Sequence, residues 1–228
     1  MKRRAQRGLT LVEMAIVLAI LALLLGGLLG PLAVQEEARK RRDNAELLER
    51  AREALIGFAV INGRLPCPDL TTPEANATGV ESGACSGGGA AFYVGRLPWV
   101  TLGIDAATDP WGAPHYIRYA VNAAYTRPFD LDTVPAPGGE LRVFDSLAAA
   151  AACATGPGNV ADGVPALVWS TAAHITNTAV EQENSDGDRC FIQAGYRITG
   201  DAQDFDDQLL WLSAPVLFNR LVGAGVLP

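Results

Sequence analysis

The sequence predicts an α+β protein: a long N-terminal helix, apolar in its first half and amphipathic in its second, packed on an antiparallel β-sheet, with a short C-terminal helix. Three observations carry this expectation. Met14 to Val34 is a run of 21 residues without a charge. In the charged stretch that follows, Leu48, Ala51, Leu55, Phe58 and Ala59 fall at helical spacing. Beyond Asn62-Gly63, which reads as a helix stop, short apolar runs alternate with turns rich in Gly, Pro and Asp.

A membrane-spanning helix needs about 20 apolar residues, so the first run is long enough to span. Ahead of it stands a basic leader with Lys2, Arg3, Arg4 and Arg7, and on its shoulder sits a carboxylate, Glu13. An acid at membrane depth is a functional signal by default. The segment Gly8-Leu9-Thr10-Leu11-Val12-Glu13 resembles the processing site of type IV prepilins and type II secretion pseudopilins. The resemblance implies that a prepilin peptidase cuts between Gly8 and Leu9 and N-methylates Leu9, and that Glu13 serves assembly. Leu9 departs from the family, which usually has phenylalanine there. Two other readings compete. A secretory signal has a shorter apolar core and a small-residue cleavage site, to which Ala33-Val34-Gln35 is a poor match; a plain anchor would not need Glu13.

The expected organisation is a leader over 1–8, a transmembrane or filament-core helix over 9–34, and a periplasmic, pilin-like globular domain over 35–228 that includes the amphipathic half of the helix. Basic residues beside a membrane segment stay cytoplasmic, so the domain should lie across the bacterial inner membrane, in the periplasm. The net charge is −7, and loss of the leader takes it to −11. An acidic exterior argues against nucleic acid as a partner, because phosphate contacts need clustered Lys and Arg.

That compartment is oxidising, and an even set of cysteines there favours disulfides. Cys67, Cys85, Cys153 and Cys190 allow three pairings. The nearest-neighbour pattern, Cys67–Cys85 and Cys153–Cys190, ties two Gly-rich, turn-prone loops and is the expected one. Zinc is disfavoured: no C-x-x-C pair exists and the histidines are His115 and His174.

Along the chain, Gly26, Gly27 and Gly30-Pro31 predict a kink or loosened turn, since proline removes a backbone donor and crowds the preceding turn. Arg39 to Arg42 form a basic cluster that can face lipid headgroups, a neighbouring subunit's acids or solvent. Arg64-Leu65-Pro66-Cys67-Pro68 forces an extended path, and the Gly-rich stretch to Gly89 reads as an exposed loop. Asp109-Pro110-Trp111-Gly112 predicts a turn with a buried aromatic before a strand at His115 to Val121. This turn resembles the major pseudopilin of type II secretion, and the L-P-C-P and L-P-W elements resemble minor pilin-like proteins. Further strands are expected at Leu141 to Phe144, Ala166 to Ser170, Phe191 to Ile198 and Gln208 to Ser213, then a helix over Ala214 to Val222.

Ser170 and His174 with nearby acids sketch a hydrolase triad, but no G-x-S-x-G elbow accompanies them, so catalysis is not expected. Asp186, Asp188, Asp201, Asp204, Asp206 and Asp207 are candidates for a structural calcium, which binds 6–8 oxygens; a solvated acidic loop competes with that reading. The sequence therefore points to a structural subunit of a type IV pilus or type II secretion pseudopilus. Its implied partners are other pilin or pseudopilin subunits, the prepilin peptidase, an inner-membrane assembly platform and membrane lipid. The competing class is a membrane-anchored periplasmic binding module that does not polymerise.

Overall fold

The computed structural model describes residues 10–87, 89–105, 108–134, 139–174 and 178–228, with the backbone alone for 24–31, 86 and 87. The chain divides into two compact units, Met1–Arg42 and Asp43–Pro228. One helix, α1 (Leu11–Asn62), contributes to both, and its helical backbone continues through Pro31. Within the first unit Leu11, Val12, Met14, Ile16, Val17, Leu18, Ile20, Leu21 and Leu23 are all exposed. A contiguous apolar surface of this kind marks a membrane or partner interface.

The second unit is built in layers. Its main sheet is antiparallel, with the order β1 (Phe92–Arg96), β2 (Arg118–Asn122), β5 (Ala166–Ser170), β7 (Gln208–Leu212). Side chains alternate between the two faces of a strand, and the two cores follow that rule. On one face Tyr119, Val121, Ala166, Val168 and Leu212 meet Leu48, Ala51, Leu55 and Ala59 of α1, together with Leu217 and Leu221 of α5 (Ala214–Gly223). On the other face Ala120, Leu167, Trp169 and Leu209 meet Leu141, Val143, Val164 and Phe191 of a second sheet. Every residue of β5 is buried as a result, which is why that strand reads as an unbroken apolar run.

The second sheet has the order β4 (Asn159–Val164), β3 (Leu141–Phe144), β6 (Cys190–Ile192), and β3 and β6 are parallel. Its outer face, with Phe144, Cys190 and Ile192, packs on Ala150 of α3 (Leu147–Ala152) and Val180 of α4 (Ala179–Glu183). A single antiparallel sheet does not describe this half of the domain. The parallel pair joins segments far apart in sequence, and β4, N-V-A-D-G-V, carries too few apolar residues to stand out as a strand.

Other elements shift for local reasons. The expected strand at His115 begins only at Arg118, because the N–H groups of His115 and Tyr116 are taken by Gly112 and Pro114 carbonyls in tight turns, both at 2.9 Å. Trp111, expected to be buried, is half-buried. The Asp109 to Gly112 turn itself closes as expected: Gly112 donates to the Asp109 carbonyl at 3.0 Å, with a φ of +81° that favours glycine. The strand expected to run to Ile198 ends at Ile192, and α2 (Trp99–Leu102) is a single turn ended by Gly103.

Cys67 is bonded to Cys85 and Cys153 to Cys190, closing separations of 18 and 37 residues. In the chain-entropy account such closures restrict the unfolded chain by about 3 and about 4 kcal/mol. Cys85 is buried although Gly83 and Ala84 before it are exposed. Beside this bridge, Glu81 holds Arg64 through two hydrogen bonds of 2.8 Å and accepts the Cys67 N–H at 3.2 Å.

Trp169 and Phe191 meet across the two sheets with ring centroids 5.1 Å apart. Trp169→Ala should therefore cost about 3–5 kcal/mol of stability. Ile61→Ala, at an exposed position, should stay within about 0.5 kcal/mol. Urea unfolding of the two purified variants beside the parent measures both.

Candidate functional site

Among the described residues, two polar clusters hold the candidate side chains. The first opens α1. Thr10 accepts the Glu13 N–H on its side-chain oxygen at 3.2 Å, the Glu13 carboxylate accepts the Thr10 N–H at 3.4 Å, and Met14 donates to the Thr10 carbonyl at 3.1 Å. This is a reciprocal capping box, T-x-x-E, which satisfies amide donors that the first turn of a helix leaves without partners. A negative charge in that turn also complements the helix dipole. Gly8 and Leu9 lie outside the described residues.

The second cluster lies beyond the end of β5. Ala172 adopts a left-handed backbone, φ +47°, and the reversal brings Ala173 and His174 to Asp206. The Asp206 Oδ2 accepts the Ala173 N–H at 3.1 Å and lies 2.8 Å from His174 Nδ1. Glu181 reaches the same place from α4, where Thr178 and Glu181 form another reciprocal capping box. Glu181 and Asp206 are 0% and 1% exposed. Next to them Asp207 accepts from Asn184 at 2.8 Å.

Burial pushes the Asp206 carboxyl up to about 6; His174 opposes that rise and Glu181 adds to it. Burial also raises Asp207 well above the usual carboxylate range, against the Asn184 hydrogen bond. Elsewhere in the domain Asp69 behaves oppositely. Burial would raise it, yet hydrogen bonds from Thr71 and Gly79 and the charge of Arg96 hold it below the ordinary value.

The aspartates considered for calcium do not share one centre. Asp186 and Asp188 converge with Glu183, whereas Asp206 converges with His174 and Glu181. Asp204 caps its own loop, accepting from the N–H groups of Thr199 and Gly200 at 2.7 Å each, and Asp201 accepts from Gln203 and Arg197. Nor do Ser170 and His174 form a nucleophile and base. Ser170 is fully buried and donates to Asp109 at 2.6 Å, while His174 Nδ1 faces Asp206. The Ser170 to Asp109 bond pins the Asp109 turn to β5. Glu181 was missed in the sequence, although Thr178-Ala179-Val180-Glu181 carries the T-x-x-E signal that would have located it.

These shifts set a pH dependence. Between about 4 and about 6 the folded Asp206 keeps a proton that the unfolded chain has lost, so the folded state binds more protons and stability falls as pH rises through that window. Asp69 acts in the other direction: its contribution is present above the unfolded value near about 4 and is lost as pH falls below it. Asp206→Asn should flatten the decline between pH values of about 4.5 and about 7.5. Urea midpoints measured across that range with a chelator present test this, and an unchanged slope would show that Asp206 does not carry it.

Residues 3–29 match the family model described as the prokaryotic N-terminal methylation motif. Comparison with curated proteins and with solved structures finds no match. The motif suggests a membrane-anchored N-terminus and implies, in general terms, interaction with pilin subunits and a prepilin peptidase; its family is structural rather than catalytic. Among the described residues no helix is long and apolar enough to cross a membrane; the run Met14 to Val34 includes side chains 24–31, which lie outside that description. The chain thus carries, over residues 3–29, the N-terminal methylation motif, in keeping with a type IV prepilin or pseudopilin-like protein.

Proposed function

We propose that this protein is a structural subunit of a type IV pilus or type II secretion pseudopilus, cut between Gly8 and Leu9 and assembled through α1. The observation that carries the reading is the methylation motif over residues 3–29, with Glu13 in the first turn of a helix whose apolar side chains from Leu11 to Leu23 are exposed. The globular domain is periplasmic in this reading. The inner-membrane assembly platform and the surrounding lipid receive α1, and the basic residues Arg39 to Arg42 meet headgroups or a neighbouring subunit.

Glu13 is the registration charge. Cleavage removes the basic leader, which leaves the new Leu9 amine as the cation within reach, and methylation keeps that amine positive. A contact from Glu13 of one subunit to Leu9 of the next is heterologous, so its repetition builds an open filament instead of a closed ring. In a low-dielectric filament core the attraction is larger than in water, which favours the one stagger that brings the charges together.

Processing is tested by intact mass. Protein extracted from membranes of cells with an active prepilin peptidase should lack residues 1–8 and carry a methylated Leu9 amine; retention of Met1 would refute the cut. Assembly is tested by two substitutions that the capping box distinguishes. Glu13→Gln keeps an oxygen for the Thr10 N–H and removes the charge, whereas Glu13→Ala removes both. If charge sets register, Gln and Ala should both reduce incorporation into sheared filaments by at least about tenfold, with insertion and cleavage intact. If Gln assembles like the parent and only Ala fails, Glu13 acts through the cap and the register argument is wrong.

A further inference from the structure

We propose that His174, Glu181 and Asp206 form a binding site for a divalent cation of the zinc class. One ligand atom from each lies within 4.8 Å of the others, close enough for all three to contact a single ion placed between them. The donor set decides the class. Calcium takes six to eight oxygens, which this site does not offer. An imidazole nitrogen with two carboxylates is a three-ligand set of the kind zinc accepts, with a further position open to water.

The site is built and not an accident of surface acids. Glu181 and Asp206 are buried, and both are oriented by the backbone: Thr178 donates to Glu181 at 3.2 Å and Ala173 to Asp206 at 3.1 Å. His174 is half-exposed and gives the ion a path from solvent. The neighbouring Asp207 is 6% exposed, its Oδ1 has no hydrogen-bond partner among the described residues, and it feels the charges of Asp206 and Glu181. Two buried carboxyl groups meet one imidazole here, with the carboxyl of Asp207 beside them. Buried charge is retained when it is paired or bound to a metal, and a dication supplies that pairing. The inference does not depend on filament assembly, and either can fail alone.

The test is equilibrium dialysis of the full detergent-extracted chain against zinc chloride and, separately, calcium chloride. One zinc ion per chain is expected, bound at least about a hundredfold more tightly than calcium, in line with the preference of a nitrogen-containing site. His174→Ala should weaken zinc binding at least about tenfold. Glu181→Gln carries the same expectation and keeps the oxygen that caps α4, so it decides the matter if His174→Ala does not fold. Glu183→Gln, in the separate acidic trio, should bind zinc like the parent. The proposal is overturned if the parent chain binds no zinc, if calcium binds as tightly, or if the folded His174→Ala or Glu181→Gln variant keeps the parent affinity.

Discussion

The domain depends on the burial of β5 from both sides. Ala166 and Val168 face α1 and α5, Leu167 and Trp169 face the second sheet, and Ser170 closes the strand against Asp109. A strand covered on both faces cannot slip by one residue without moving Trp169 into the helix layer and Val168 into the gap between the sheets, so its register is tightly set. That register in turn positions the chain just beyond Ser170. There the left-handed Ala172 turns Ala173 and His174 onto Asp206, which lies two residues before β7, the other neighbour of β5. The polar cluster is thus held by two adjacent strands of the best-buried sheet, not by a free loop.

Much of this order was legible in the sequence wherever a signal was local. The strands Leu141 to Phe144 and Ala166 to Ser170 and the final helix announce themselves by short apolar runs between turns, and they stand at those positions within a residue. The amphipathic stripe Leu48, Ala51, Leu55 and Ala59 is the face of α1 that enters the core. Phe58, from the same stripe, is only half-buried and lies under Arg64, 5.2 Å from its ring. What could not be read was non-local. The parallel pairing of β3 with β6 joins residues 142–144 to 190–192, and nothing in either segment names its partner. The same holds for His174, whose partner is Asp206, 32 residues away in sequence.

The acidic residues teach the same lesson in electrostatic terms. By sequence they form one group of aspartates from 186 to 207, and composition alone suggests one role. Environment separates them. Asp201 and Asp204 are solvent-facing and spend their oxygens on nearby N–H groups, which holds both below the ordinary value. Asp206 and Asp207 are buried among other carboxyls, and both are raised. Residues of one chemical type thus do opposite things because desolvation and neighbouring charge, not identity, decide which protonation state is favoured.

Two T-x-x-E boxes make the contrast sharpest, since Thr10 with Glu13 and Thr178 with Glu181 use the same hydrogen bonds to start a helix. A cap contributes about 0.5–2 kcal/mol. At Glu13 the side chain is exposed and its bond to the Thr10 N–H is long, 3.4 Å, so the carboxylate can exchange that partner for a cation at little cost. At Glu181 the side chain is fully buried beside Asp206 and Asp207. An uncompensated charge in such a place costs several kcal/mol, more than any cap returns. The first glutamate is therefore open to an external contact, while the second is enclosed with His174 and Asp206. The same four-residue motif leaves one carboxylate in solvent and encloses the other in the domain, and the amount of water around each is what separates them.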